Sequence, residues 1–416
     1  MPKIAIIGGG WSGLTASYLL SDYDIALFES NNILGGRARK INHVNYELDN
    51  GQHIMMGAYH NTLEIFKKLD INFDKLIKTF DLQWHVKNGI ILPNIKIKFL
   101  PYKINLLICL LNIKNLSWLN KYKLLVIILK LQFNHYTSKA KTVEFWYEEY
   151  NIPKILQLQF FTPLCLSALN TCITKANINK FLHILKLTIA SSNEKDSKLL
   201  IPKVNLSDLY PNIILNYLNN RRKKVLLSTT IINIQEIDNK WILQDNAKNF
   251  YKDIDILIIS TSYNVTQKLL SNINVNLPNK EFNPITTLYI KTQAKISQEI
   301  PFLIYKSAVI FQKQDSIWAV VFSNLYIENI KIDYYLKDLE NEFKHEMHLI
   351  QKICEKKATF SCENDNNIIN PIVKKNLYLT GDYLHCMYPA TLESAVCSAI
   401  FVADTIKLDI KTNSML

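Results

Sequence analysis

Glycine is scarce. The 416 residues contain only ten, roughly a third of the usual share of about 7%. Eight of them stand at positions 8, 9, 10, 13, 35, 36, 51 and 57, and the other two are Gly89 and Gly381. A chain this poor in glycine keeps it where no side chain is tolerated, at a positive φ or where backbone comes close to a ligand or neighbouring element. Arginine is scarcer still: Arg37, Arg39, Arg221 and Arg222 are the only four among 48 basic residues. The seven cysteines form no CxxC, and their odd number argues against a secreted disulfide framework. Long apolar runs are missing too. LLICLL (106–111) and LLVIIL (124–129) fall short of the roughly 18–20 residues that cross a bilayer. A strand-like run, KIAII, begins at residue 3, so no secretory leader is expected. The expected location is cytoplasmic, soluble or peripheral on the inner face of the cytoplasmic membrane.

The chain has enough apolar material for a large core, with 48% hydrophobic residues, and a formal charge of +12. Its length fits two or three domains. The lysines are spread along the whole chain, together with abundant asparagine and isoleucine, which reads as AT-rich coding bias. Nucleic-acid binders cluster their charge, so no nucleic-acid partner is expected; an anionic membrane surface stays a candidate partner.

Residues 3–7 (KIAII), 12–20 (SGLTASYLL) and 24–28 (DIALF) read as strand, helix and strand. Between them lies Gly8-Gly9-Gly10-Trp11-Ser12-Gly13, a GxGxxG motif that leaves a strand and opens a helix. Glu29 follows at the end of the second strand. In such a unit Gly8 permits the tight turn, Gly10 lets backbone approach a pyrophosphate, and Gly13 lets helix and strand pack closely. The helix N-terminus offers free N–H groups to phosphate, and Glu29 would accept hydrogen bonds from a ribose. Gly35-Gly36-Arg37-Ala38-Arg39 holds half of all the arginine, a residue hard to replace where a planar fork binds phosphate or carboxylate. Asp49-Asn50-Gly51-Gln52-His53 is a polar, glycine-bearing segment able to place backbone beside a ring system. Near the C-terminus, Thr380-Gly381-Asp382 ends a strand and Pro389-Ala390-Thr391 precedes a helix. That helix can aim its positive end at negative charge.

Taken together, GGGWSGLTAS, GGRAR, DNGQH and GDY…PATLESA resemble the FAD-dependent amine oxidase and phytoene desaturase superfamily. Within it, FFTPLCLSALNT (160–171), LLIPKVNLSDLYP (199–211) and LPYKINLLICLLNIKNLSW (100–118) are similar to the bacterial hydroxysqualene dehydroxylases, also called squalene-associated FAD-dependent desaturases. The resemblance implies FAD as cofactor, with Gly8, Gly10, Trp11, Ser12, Gly13, Glu29, Gly36, Arg37, Gly51, Gly381, Asp382, Ala390 and Thr391 around it and Ile231 framing the adenine through its backbone. It implies reduction of hydroxysqualene to squalene, on the route to hopanoids, with an unknown reductant for the flavin and a lipid-soluble isoprenoid as substrate. His53 and Glu393 are the candidates for proton handling. A carotenoid-type desaturase, a flavin amine oxidase and a non-catalytic FAD- or lipid-binding subunit stay open as alternatives. Ser394 stands where the family commonly has glycine. The segment Leu384-His385-Cys386-Met387 lacks the attachment context of covalent relatives, so a non-covalent flavin is expected.

The expected fold is α/β: a Rossmann-like FAD-binding domain, discontinuous over 1–83, 200–275 and 371–416, with an inserted mixed α+β substrate domain over 84–199 and 276–370. A hairpin is expected to turn at Asn88-Gly89, and a charged amphipathic helix to run over 334–356. Residues 100–190 are apolar enough to line an isoprenoid tunnel. Lys103, Lys114, Lys121, Lys123 and Lys130 among leucine, isoleucine, Trp118 and Phe133 suit an interfacial helix pair. Packing of the same apolar residues against the substrate domain is the competing reading. Phe145-Trp146-Tyr147 and Tyr150 read as core. His345 and His348, two histidines without HExxH spacing, read as a solvated helix face, and no metal is expected.

Overall fold

The computed structural model describes residues 1–133, 139–314, 316–363, 368–384 and 388–413. The chain opens with β1 (Lys3–Ile7), α1 (Trp11–Leu19) and β2 (Asp24–Phe28), followed by α2 (His60–Lys68). A helical layer then includes α3 (Tyr102–Leu111) and α4 (Trp118–Gln132). The chain returns with β3 (Lys224–Leu226) and β4 (Ile256–Ile259). Next come β5 (Phe282–Lys291), β6 (Ala308–Gln314), β7 (Ile317–Ser323), α5 (Ile332–Phe343) and β8 (His348–Phe360). It closes with β9 (Leu377–Leu379) and α6 (Leu392–Asn413).

One sheet has the order β3-β2-β1-β4-β9, completed by the edge strand Ile372–Lys374. All its pairings are parallel except that last one. β1 after Lys3, and the whole of β4, are apolar because both faces of a parallel sheet are covered. Side chains alternate across the strand. Ile4 and Ile6 therefore join a core with Leu14 of α1 and Val402 of α6, while Ala5 and Ile7 join a second core on the other face.

The second large sheet is antiparallel, in the order Leu303–Tyr305, β6, β7, β5, β8. Its alternation decides which residues meet what. Leu288, Ile290, Trp318 and Val320 share a core with Leu339 of α5. Tyr289, Phe311 and Ala319 point the other way, into the core shared with the first sheet and the helical layer. In that layer Trp146, Phe160, Phe161 and Phe181 are fully buried, and Trp146 meets Phe161 edge-on with ring centroids 5.1 Å apart. Tyr147 is buried as expected, whereas Phe145 is exposed and Tyr150 half-buried. The hairpin forms: Trp84 pairs with Leu92 and His85 with Ile91, and the Gly89 N–H donates to the Val86 carbonyl. No helix among the described residues is long and apolar enough to cross a membrane.

The helix expected over 334–356 is shorter. It ends at Phe343, where Lys344 takes a left-handed conformation (φ 59°), and the chain continues as the thirteen-residue strand β8. β5 is the reason. Thr286 to Ile290 are fully buried, so their backbone groups need partners on both sides. β7 supplies one side and β8 the other. His345 and His348 therefore flank a turn and a strand start, not a helix face.

Lys344→Gly tests this boundary. The lysine is exposed and adopts a conformation that costs a side chain about 1 kcal/mol. The glycine variant should gain about 0.5–1 kcal/mol in urea unfolding. A helix continuing through residue 356 would instead lose about 1 kcal/mol on the same change.

Candidate flavin site

The parallel strands β1, β4 and β9 end side by side, which places Gly8, Ser260 and Thr380 along one edge of the sheet. Open α/β sheets bind ligands at this carboxyl edge. Gly8 has φ +108°, and a Cβ there would lie 2.5 Å from the Ser260 carbonyl oxygen. The Gly9 N–H donates to Glu29 Oε2 at 2.7 Å. Glu29 Oε1 accepts from the Asn31 N–H, the Asn31 amide and Ser30 Oγ, which leaves Oε2 with room for a further donor. The Thr229 N–H donates to the Glu29 carbonyl and the Ser228 N–H to the Asn31 carbonyl. The chain leading to buried Ile231 therefore runs alongside Glu29.

Gly10 and Gly36 face each other across the motif. A Cβ on Gly10 would meet nothing nearer than Gly36 Cα, at 3.9 Å. The Gly35 N–H donates to the Gly9 carbonyl at 2.8 Å, which fixes the two segments together. Gly10 caps α1 without a side chain, so the first-turn amides of Trp11, Ser12 and Gly13 have no helical acceptor. The Trp11 side chain, in contrast, is core. Its ring lies 4.6 Å from that of Tyr210, and its Nε1–H donates to the Ala38 carbonyl. Only its backbone is left for a ligand. Ser12 Oγ lies 3.2 Å from Ser398 Oγ, which also accepts from the Gly381 N–H at 2.9 Å. Ser398 of α6 thus joins the first motif to the last.

Arg37 extends from the second motif to Asp382, with Nη2 to Oδ1 at 2.7 Å, and Nη1 donates to the Ala358 carbonyl. Asp382 beside it holds the guanidinium firmly charged. Thr391 and Ser394 cap α6 reciprocally: the Ser394 N–H donates to Thr391 Oγ1 and the Thr391 N–H to Ser394 Oγ. Ser394 in place of glycine therefore supports the helix end. Ala390 lies half-buried just before it. Residues 385–387, on which the expectation of a non-covalent flavin rests, lie outside the described residues.

Gly51 has φ +89°, and a Cβ there would meet only Thr287 Oγ1 of β5. His53 Nδ1 lies 3.2 Å from the Gly51 carbonyl. A carbonyl can only accept, so Nδ1 carries the proton and Nε2 is the bare nitrogen. Burial pushes the imidazole below its ordinary range, outweighing the opposite pull of Asp49. Glu393, expected to handle protons, does something else. Its carboxylate is fully buried and accepts from the Asn61 N–H, the Asn61 amide, the Thr62 N–H and Thr62 Oγ1. Those amides belong to the first turn of α2, so Glu393 of α6 caps α2 and is saturated with donors.

The pairing of Asp49 with Lys313 is what sequence reasoning missed. Their carboxylate and ammonium lie 2.7 Å apart, with only 2% and 11% of the side chains exposed. Asp49 also accepts from the Leu206 N–H, and its carbonyl from the Tyr289 hydroxyl. The one available signal was phase: Lys313 shares a strand face with Val309 and Phe311, which point inward.

Three of the four buried polar atoms without a partner among the described residues are Ser260 Oγ, Thr380 Oγ1 and Gln52 Oε1. Two lie on the carboxyl edge of the sheet and the third in the 49–53 segment. Together with the open space over Gly10 and the free amides of α1, they fit a polar, phosphate-bearing group such as FAD. No cluster of three or more metal-ligating side chains is found among the described residues.

Residues 6–69 match the family model of the NAD(P)-binding Rossmann-like domain. The whole chain is similar to the hydroxysqualene dehydroxylase of Zymomonas mobilis, 24% identical over 96% of this chain and 97% of that one. The fold is similar to that of an oxidoreductase from Methanosarcina mazei (TM-score 0.75, 13% identity, 97% and 100% of the two chains). It is also similar to that of cyclohexylamine oxidase from Brevibacterium oxydans (TM-score 0.69, 11% identity, 99% of both chains). These similarities are to the FAD-dependent amine oxidases and desaturases. Like the proteins it resembles, it is an FAD-dependent oxidoreductase with a Rossmann-like α/β fold.

The buried pair gives a stability test. Lys313→Met leaves the Asp49 carboxylate buried and uncompensated, which should cost about 3–5 kcal/mol in denaturant unfolding. Adding Asp49→Asn removes the stranded charge and should recover a large part of the loss. A Lys313→Met variant as stable as wild type would show that the pair carries no such load.

Proposed function

We propose that this oxidoreductase acts on a long isoprenoid and reduces hydroxysqualene to squalene. The observation that carries this reading is the end-to-end similarity to the Zymomonas mobilis enzyme, which spans both the nucleotide-binding sheet and the part inserted between its strands. The interior supports it. Trp84, Phe160, Phe302 and Phe311 pack as an apolar cluster where the helical layer meets the antiparallel sheet, with centroids 5.2 Å apart for Trp84 and Phe160. An amine substrate would call for polar or acidic partners there; a hydrocarbon does not.

In this reading Gly8, Gly10, Gly13 and the amides of α1 hold the pyrophosphate, Glu29 the ribose and the Ile231 backbone the adenine. Gly36, Arg37, Gly381 and Asp382 hold the remaining polar groups, while Gly51 and the Ala390–Thr391 end of α6 border the ring. Bound FAD, once reduced, supplies a hydride, that is two electrons and one hydrogen. The chain must provide a dry apolar channel and a proton for the departing allylic hydroxyl. The C–O bond breaks with its electrons on oxygen, the proton makes the leaving group water, and the hydride completes the hydrocarbon. His53 is placed to carry that proton on Nε2, because Nδ1 is held by the Gly51 carbonyl. It donates only when charged, and burial holds its pKa below the usual value. The rate should therefore rise as pH falls through that lowered pKa.

Photoreduced enzyme incubated anaerobically with hydroxysqualene should yield squalene, detected by mass spectrometry. No squalene, or turnover of phytoene by the oxidised enzyme instead, would replace this reading with a desaturase. His53→Gln should remove the acidic rise in kcat and leave KM within about twofold.

Gly10→Val separates cofactor binding from folding. The valine Cβ has space in the protein itself, and its branches crowd the position over which the pyrophosphate would lie. The variant should purify folded, with an unchanged far-ultraviolet spectrum, and carry no flavin absorbance.

A further inference from the structure

Residues 82–143 contain no aspartate or glutamate and ten lysines. The same stretch holds much of the apolar surface that the protein leaves in solvent. Among the described residues, ten of the 26 exposed large hydrophobic residues fall between Ile97 and Phe133. Phe99 is 90% exposed, Leu119 76% and Trp118 70%.

Helix geometry makes this one continuous face. On α3, Leu106, Cys109 and Leu110 are buried, whereas Ile104, Ile108 and Leu111 follow the i, i+4, i+7 spacing of the opposite side. At the start of α3, Asn105 holds the preceding loop in place. It accepts from the Ile97 N–H and donates to the Ile97 and Leu100 carbonyls, which fixes the loop carrying Phe99 to the start of α3. At the end of α3, Lys121 of α4 donates to the Leu111 carbonyl at 2.8 Å and lies over the Trp118 ring at 4.5 Å. That joins the first turn of α4 to the stripe. α4 continues it, burying Leu124, Ile127 and Leu131 while Trp118, Tyr122, Leu129 and Phe133 face out. Core packing and an apolar outer face thus coexist on the same two helices.

We propose that this face docks on an anionic phospholipid bilayer. The aromatic and aliphatic side chains enter the boundary between headgroups and acyl chains, and the lysines meet lipid phosphates. Lys98, Lys103 and Lys114 are exposed and make no ion pair among the described residues, so their charge is available. A second copy of this chain is a poorer occupant. A symmetric contact would set the patch against itself and bring lysines against lysines. The docking face stands independently of the substrate reading, because it concerns binding and not turnover.

Flavin-loaded, full-length protein is floated with vesicles of phosphatidylcholine alone and of phosphatidylcholine mixed with phosphatidylglycerol. Wild type should float with the mixed vesicles, less so as salt rises, and not with the neutral ones. Each lysine at an anionic surface is worth roughly a fivefold change in binding, so Lys98→Glu/Lys103→Glu/Lys114→Glu should weaken it about a hundredfold or more. Trp118→Ser/Leu119→Ser should abolish flotation. All five side chains are exposed, so both variants should keep wild-type flavin absorbance and Tm. Wild type that stays at the bottom with anionic vesicles overturns the proposal, as do variants that float like wild type. A wild-type dimer that Trp118→Ser/Leu119→Ser converts to monomer, without vesicle binding by either, would assign the face to a second copy.

Discussion

The central strand β1 must be hydrogen-bonded on both edges, and it finds its partners far apart in the chain. β2 follows within thirty residues, but β4 lies some 250 residues on, and β9, which pairs with the far edge of β4, more than 370. A parallel neighbour always requires a crossover. Here one crossover has grown into the whole helical layer, and another into the antiparallel sheet. Everything inserted must leave and re-enter at the ends of strands in a single sheet, and so it is held over the edge where Gly8, Ser260 and Thr380 meet.

That arrangement creates an electrostatic problem at the join. Asp49 comes from the nucleotide-binding part and Lys313 from the antiparallel sheet, and each would be costly to bury alone. Paired, and tied further by the Leu206 N–H, they fix the 49–53 segment against β5 and β6. Arg37 and Asp382 make a second, more exposed pair between the start and the end of the chain. Saturated carboxylates such as Glu393 hold helix ends in place, whereas the unpartnered Ser260, Thr380 and Gln52 atoms mark where the protein awaits polar company.

The helical layer serves two surfaces with one sequence. Its inner side, with Phe160 and Phe161, is packed into the shared core, and its outer side on α3 and α4 keeps aromatic and aliphatic groups in water beside unopposed lysines. Large exposed apolar patches on a soluble surface mark contact with something else. A hydrocarbon substrate dissolved in a membrane would make such a surface useful to an oxidoreductase.

Local chemistry was legible in the sequence. The turn at Gly8, the close packing at Gly13, the acidic end of β2 and the strand end at Gly381 depend on residues a few positions apart, and each took the form its spacing implied. What the sequence left undecided were outcomes that depend on a distant partner. The segment 344–356 is charged and compatible with a helix; it became β8 because buried β5 lacked one hydrogen-bonding neighbour. Glu393 looked available until α2 brought its first-turn amides to it, and Lys313 looked like one lysine among 44 until Asp49 met it inside the protein. Tight turns and close glycine packing are set by near neighbours, so sequence alone determined the fingerprint and the strands around it. Burial and pairing are set by the whole fold, so only the tertiary structure decided which charges and apolar faces were left free to act.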